Sequence, residues 1–339
     1  MSYVPDTHLL YKDVEGDLAL AVSYSQIETF LQCPYKWYRT YILGERSLEK
    51  QEATSYGTVI HETLEYFFKN KRKPNGRDLG DAITYYSWNE NIPWSSPEEM
   101  LMAAKQSGEL LAWLVELFEK ENGWYKKPDS ELNAVEKILR YADIEGVEES
   151  FNLPYKLVKP ANINGREFDS VTITGSIDLH LSITTNQGIK HHYVIDWKSG
   201  KKLFDNKKLE ENLQHPIYAF YVYRKYGRKL PDIGIYFFTR TREYQRVKVD
   251  DARVTKSISI MNLVFDAMYD FETKPVEWYA SYREKPEGGY ARYRTPLPSP
   301  VARNQKPCPS ALCYFCDFGI HKRGVCPYSS DWDLSKKKK

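Results

Sequence analysis

Thr174-Gly175-Ser176-Ile177-Asp178 and Val194-Ile195-Asp196-Trp197-Lys198-Ser199-Gly200 are the two stretches on which the reading of this chain turns. Residues 171–183 alternate apolar and polar side chains as half-buried strands do, and His191 to Trp197 reads as a second strand. Thr185-Asn186-Gln187-Gly188 between them reads as a turn. The turn leaves two registers open. If Asn186 and Gln187 centre it, Asp178 lies opposite Ile195; with one extra turn residue or a bulge it lies opposite Asp196. Asp196 and Lys198 are two apart on a strand, so they share a face. The second register therefore gathers two carboxylates and an ammonium. Two like charges side by side out of water are costly unless a cation joins them, and the economical cation for oxygen ligands is Mg²⁺ or Mn²⁺. The plainer alternative makes Asp178 a turn or surface acid and pairs Asp196 with Lys198. Against it, Asp196 sits between the apolar run Tyr193-Val194-Ile195 and Trp197, where a charge shielded from water needs a reason.

Working outward, Ser23-Tyr24-Ser25-Gln26-Ile27-Glu28 offers two overlapping capping boxes, Ser23 with Gln26 and Ser25 with Glu28. A short helix should follow with Ile27, Phe30 and Leu31 inward, interrupted at Cys33-Pro34, where Pro34 can open the next turn. Residues 1–20 carry little periodicity. Val59, Ile60, Leu64, Phe67 and Phe68 are spaced for a helix over 56–70, and 97–121 reads as a longer amphipathic helix. After Gly146 the pattern changes, and 147–158 alternates like a strand. Beyond Lys198 a helix is expected from about Glu211 to Tyr226, with Pro216 tolerable in its first turn. Strands over 233–239 and 244–250 and a helix over 252–272 complete the pattern. The order indicates an α/β fold: a mixed β-sheet core flanked by helices, with an N-terminal helical lobe and a C-terminal Cys-rich region. The expected divisions are a helical region over 1–146 carrying Cys33 and His61, a core over 147–275, a Cys-rich region over 276–330 and a basic tail over 331–339.

The formal net charge of +2 excludes a whole-molecule electrostatic case for nucleic acid. Local basic clusters remain: Lys69 to Lys73, Lys198 to Lys208, and Arg240, Arg242, Arg246 with Lys248. Each is also what a solvated face looks like. The 27 tyrosines suit half-wet interfaces and base stacking as well as ordinary packing. No apolar run is long enough to span a membrane and no secretory signal is visible, so an intracellular, cytoplasmic setting is expected.

Of the five cysteines, Cys33 stands alone near the N-terminus, and Cys308, Cys313, Cys316 and Cys326 cluster near the other end. The two-residue gap between Cys313 and Cys316 is a common metal-ligand spacing. Inside a cell a disulfide is disfavoured, which leaves zinc or iron–sulfur. Spacing alone favours zinc slightly, on the four C-terminal cysteines.

Gly175 and Asp178, followed by Ile195-Asp196-Trp197-Lys198 and Gly200, resemble the signature of PD-(D/E)XK nucleases, in particular the RecB-type branch that includes CRISPR-adaptation, AddB-type and phage exonucleases. Ser25, Phe30 and Cys33-Pro34 are similar to that branch's N-terminal motif; Gly57 and His61 to its Gly-x-x-x-His helix; Gln214 and Tyr218 to its Gln-x-x-x-Tyr helix. The resemblance implies a restriction-endonuclease-like core. It makes Asp178, Asp196, His61 and the Trp197 carbonyl metal ligands. Lys198 becomes the group that orients the attacking water and offsets phosphate charge, with Gln214 and Tyr218 one helical turn apart beside it. It also reverses the cofactor choice, implying a 4Fe-4S cluster on Cys33, Cys313, Cys316 and Cys326, with Cys308 as the spare. The implied substrate is DNA, single-stranded or with single-stranded ends, and the implied activity an exonuclease, with some endonuclease action open, in end processing, recombination or repair. A homo-oligomer and a recombination partner protein stay open. Two rivals are a non-catalytic DNA-binding or assembly subunit that keeps the fold, and a zinc-binding protein whose acidic hairpin is structural.

Overall fold

The computed structural model describes residues 10–12, 18–45, 52–70, 94, 96–163, 165–227, 233–269, 278–284, 290–296, 316, 318 and 326. In chain order the elements are strands β1 (Leu10–Lys12) and β2 (Leu18–Ser23), helices α1 (Tyr24–Gln32), α2 (Pro34–Trp37), α3 (Glu52–Lys69) and α4 (Pro97–Phe118), and the short strands β3 (Lys120–Glu121) and β4 (Trp124–Tyr125). Helix α5 (Ala134–Tyr141) leads into the long strands β5 (Asp143–Ile163) and β6 (Arg166–Thr184), followed by β7 (Lys190–Lys198). Helices α6 (Asn206–Glu211) and α7 (Gln214–Tyr226), strands β8 (Ile233–Phe238) and β9 (Glu243–Lys248), helix α8 (Asp251–Met268) and strands β10 (Trp278–Glu284) and β11 (Tyr290–Pro296) complete the order. Two compact units interleave the sequence: Met1–Leu48, Asn152–Gly175 and Ile258–Lys339 form one, Glu49–Phe151 and Ser176–Ser257 the other.

The second unit is a mixed α/β layer structure. Strand β7 pairs antiparallel with β6 and parallel with β8, and β8 pairs antiparallel with β9. The parallel step requires a crossover, which α6 and α7 supply. Period-two alternation then sorts the strands' side chains. Leu179, Leu181, Ile195, Trp197, Ile235 and Phe237 pack with α3, α4 and α5 through Ile60, Leu64, Phe68, Leu114 and Leu139. Tyr236, Phe238 and Val247 pack with Ala219 of α7 on the other face. The expected helical face of α3 is buried as predicted, with Val59, Ile60, Leu64, Phe67 and Phe68 all within 1% of full burial. Each such side chain contributes roughly 1.5–3 kcal/mol to the core that holds this helix. Helix α5 carries a full capping box: Asn133 accepts from the Glu136 amide at 3.0 Å and Glu136 accepts from the Asn133 amide at 2.8 Å.

In the first unit, residues the sequence left without periodicity form β2, which pairs in parallel with 171–174 of β6 and buries Leu20 and Val22. Ser23 caps α1, accepting from the Gln26 amide at 3.3 Å. Ile27 and Phe30 are buried, but Leu31 is 50% exposed. The expectation of an inward Leu31 is corrected: α1 ends at Gln32, and its buried arc is already filled by residues 26, 27 and 30. Cys33 stops the helix and Pro34 opens α2. The expected helix over 211–226 begins instead at Gln214, after the separate α6. Strands β10 and β11 form an antiparallel hairpin in the Arg- and Pro-rich region, which composition did not suggest. Among the described residues no helix is long and apolar enough to cross a membrane.

Candidate active site

The β6–β7 turn decides the register. Thr185 N donates to Ile189 O at 2.8 Å and Gly188 N to Thr185 O at 2.9 Å, with Gly188 at φ +75°. The loop therefore holds the extra turn residue, and the pairing runs Thr184↔Lys190 to Leu179↔Ile195. One further step along this register brings Asp178 opposite Asp196. The Trp197 amide donates to Asp178 Oδ2 at 2.7 Å.

Two groups of side chains meet there. In the first, His61 of α3 places Nε2 3.1 Å from the Trp197 carbonyl and Nδ1 3.6 Å from both Asp178 Oδ2 and Glu148 Oε1. One ligand atom from each of His61, Glu148 and Asp178 lies within 4.8 Å of the others. In the second, Lys198 Nζ lies 2.6 Å from Asp196 Oδ2 and donates to Gln214 Oε1 at 3.1 Å. Gln214 Nε2 donates to Asp196 Oδ1 at 2.5 Å and to the Tyr218 hydroxyl at 2.8 Å. The Gln214 amide is thus polarised in one sense, its carbonyl toward the ammonium and its amino group toward the carboxylate. Asn212 Oδ1 accepts from the Gln214 backbone N–H at 2.8 Å and from the Tyr236 hydroxyl at 2.7 Å, which fixes the start of α7 where Gln214 is needed.

Glu148 was not singled out by the sequence. It lies in β5 at φ +47°, a left-handed conformation that kinks an otherwise extended strand. Its neighbours hold the kink. Glu149 Oε2 lies 3.2 Å from His180 Nδ1, while Oε1 accepts from Tyr221 at 2.6 Å and from Lys225. Glu145 accepts from Ser182 and pairs with Lys190, both at 2.6 Å. Gly146 makes room: a Cβ there would fall 2.4 Å from Glu149 Oε2. Glu148 itself accepts from Ser176 at 3.2 Å and turns toward His61. The two adjacent acids after Gly146 were the available signal, but only the kink tells which of them faces the site.

Asp178 and Asp196 are 8% and 2% exposed. Burial first, then the like charges of Asp196 and Glu148, push the Asp178 carboxyl well above the usual range. Burial works against a charge on His61, but a hydrogen bond to Glu148 and the charges of Asp178 and Asp196 outweigh it and lift the imidazole to about 9. A cluster of acids in which one is driven toward neutrality and the histidine toward protonation is relieved when a cation enters. Hard carboxylate oxygens, a backbone carbonyl and one imidazole suit Mg²⁺ or Mn²⁺. His215, next to Gln214, is 1% exposed; burial, with Lys198 and Arg253 nearby, pulls it down to about 3, so it is a neutral packing group.

Among the described cysteines, Cys33, Cys316 and Cys326 are half-buried, and all belong to the first unit. The Cys326 amide donates to Phe318 O at 2.8 Å, and the Arg39 guanidinium lies 5.6 Å from the Phe318 ring. Cys308 and Cys313 lie outside the described residues.

No curated protein matches the chain. The family model of the PD-(D/E)XK nuclease superfamily matches residues 21–327, nearly the whole chain. That span contains every residue of the acidic site, and nucleases of this superfamily use divalent metals. By its match over residues 21–327 and its mixed α/β core, the chain belongs to the PD-(D/E)XK nuclease superfamily.

Proposed function

We propose that the protein is a Mg²⁺- or Mn²⁺-dependent deoxyribonuclease of the RecB-type branch that trims DNA from its ends, in end processing, recombination or repair. The observation that carries this reading is the joint placement of Asp178, Glu148 and His61 about the Trp197 backbone, with Asp196 and Lys198 adjoining them. His61, Glu148, Asp178 and the Trp197 carbonyl would hold the metal, with Asp196 as the adjoining carboxylate. When bound, the cation supplies nucleophile activation and neutralisation of charge developing on the phosphate. Lys198 orients the attacking water and meets the phosphoryl oxygens, its Nζ tethered by Asp196 and Gln214. Tyr218 and Gln214 keep Asp196 in one rotamer, so the lysine and the acid stay in register. An intact acidic set around a tethered lysine supports a working enzyme over a binding-only subunit.

The same reading includes a 4Fe-4S cluster on Cys33, Cys313, Cys316 and Cys326. It is supported by the placement of Cys33, Cys316 and Cys326 in one compact unit and by Arg39, six residues past Cys33, resting on Phe318. Such a cluster would tie together segments nearly 300 residues apart in sequence and close a long loop.

A time course on end-labelled linear DNA beside closed circular DNA tests the activity. Mn²⁺-dependent shortening of linear strands with circles intact is expected; nicked circles with undegraded ends would refute end-directed action. Anaerobic purification followed by metal analysis tests the cluster. Iron with visible thiolate-to-iron absorbance is expected, and a colourless protein with stoichiometric zinc would overturn it.

A further inference from the structure

We propose that Arg240, resting against the Tyr56 ring, is a clamp for a nucleic-acid backbone phosphate next to the one cleaved; the inference rests on the nuclease reading above. The clamp is built onto the end of the catalytic strand. Lys198 pairs with Phe238 across the parallel β7–β8 ladder. The following residue, Thr239, donates to the Lys198 carbonyl from its amide at 3.0 Å and from its hydroxyl at 3.3 Å. Arg240 therefore leaves the sheet directly beside Lys198.

Tyr56 comes from the start of α3, the helix that supplies His61, and is 3% exposed. The Arg240 guanidinium carbon lies 3.8 Å from the Tyr56 ring centroid. At that distance the guanidinium rests against the ring, and the N–H groups turned away from Tyr56 are the part left to bind. Gly57 brings α3 close to the segment after Lys198: a Cβ there would lie 3.3 Å from Ser199 Oγ. Tyr56, Gly57, Ser199, Thr239 and Arg240 thus line one margin of the acidic site.

The buried Nε of Arg240 has no hydrogen-bond partner. A cation held rigid, next to a site that must accept a polyanion, is what a fixed phosphate contact requires. The planar N–H edge of a guanidinium matches two phosphate oxygens at once, which an ammonium cannot do. Lys201 and Lys202 follow on the exposed loop after Ser199. They are mobile point charges, suited to attraction; Arg240 is suited to register.

The test is anisotropy of a fluorescein-labelled single-stranded oligonucleotide with Asp196→Asn protein in Ca²⁺, across a salt series. Arg240→Gln in that background is expected to bind about tenfold or more weakly and to lower the slope of log K against log salt by about 0.7, the share of one phosphate contact on a single strand. Arg240→Lys keeps the charge, guards against a folding defect, and is expected to retain the slope while losing several-fold in affinity. Equal affinity and slope for the parent and both variants would overturn the clamp. If wild-type protein still cleaves in that case, only the clamp falls; if wild type neither binds nor cleaves, the nuclease reading falls with it.

Discussion

Replacing Glu149 with Gln separates the charge of this residue from its shape. Burial would push its carboxyl up, but hydrogen bonds from His180, Lys225 and Tyr221 outweigh that and hold it at about 2 against the usual 4.5. Gln resembles the protonated acid, so its cost should approximate the free energy of that depression. Taken at face value the depression is worth about 3 kcal/mol. Glu149 is 13% exposed, but its partner Lys225 is 38% exposed, so solvent screens the pair and about 1.5 kcal/mol is the working figure. A depressed carboxyl contributes stability that is full above 4.5 and lost as pH falls through about 2. Urea unfolding should therefore show Glu149→Gln weaker than wild type by about 1.5 kcal/mol at pH 7. More than half of that gap should be gone at about pH 3. Because Glu149 anchors the kink that aims Glu148, the variant should also bind Mn²⁺ about tenfold more weakly by calorimetry. A gap that is the same at both pH values, or absent at pH 7, would refute this account of the anchor.

Other outcomes follow from the same geometry. Gly146→Ala should cost about 2–3 kcal/mol in urea unfolding, because the new Cβ would meet a Glu149 side chain held by three donors. Asp178→Asn replaces a carboxyl whose charge is disfavoured by burial and by Asp196, so in EDTA the variant should melt at or above the wild-type temperature. Mn²⁺ should raise the melting temperature of wild type and leave that of Asp178→Asn unchanged. Lys198→Ala should lower the cleavage rate by about a hundredfold or more while Mn²⁺ affinity changes little, since Lys198 pairs with Asp196 and Gln214.

Much of this architecture could be read from pattern. The apolar face of α3 and the strand character of β6 and β7 follow from periods of 3.6 and 2. The meeting of Asp178 with Asp196 was one of two registers. The choice lay in the backbone bonds of Thr185 and Gly188, which local sequence does not dictate. Glu148 escaped because its role depends on a left-handed residue inside a strand, held by partners 31 to 76 positions away in sequence. Strand β2 escaped because a short parallel strand is defined by its distant partner, here Val171 to Thr174. Leu31 was misread because a nine-residue helix ending at Gln32 buries only a narrow arc. Arg240 looked like one member of a solvated basic group, and only its contact with Tyr56 sets it apart.

The most direct test of the central claim is the rate at which purified protein degrades end-labelled single- and double-stranded DNA in Mn²⁺, with Asp196→Ala measured beside it. The account predicts degradation by wild type that EDTA abolishes and a rate for Asp196→Ala lower by about a thousandfold or more. Intact DNA ends with wild type, or equal rates for the two proteins, would contradict it.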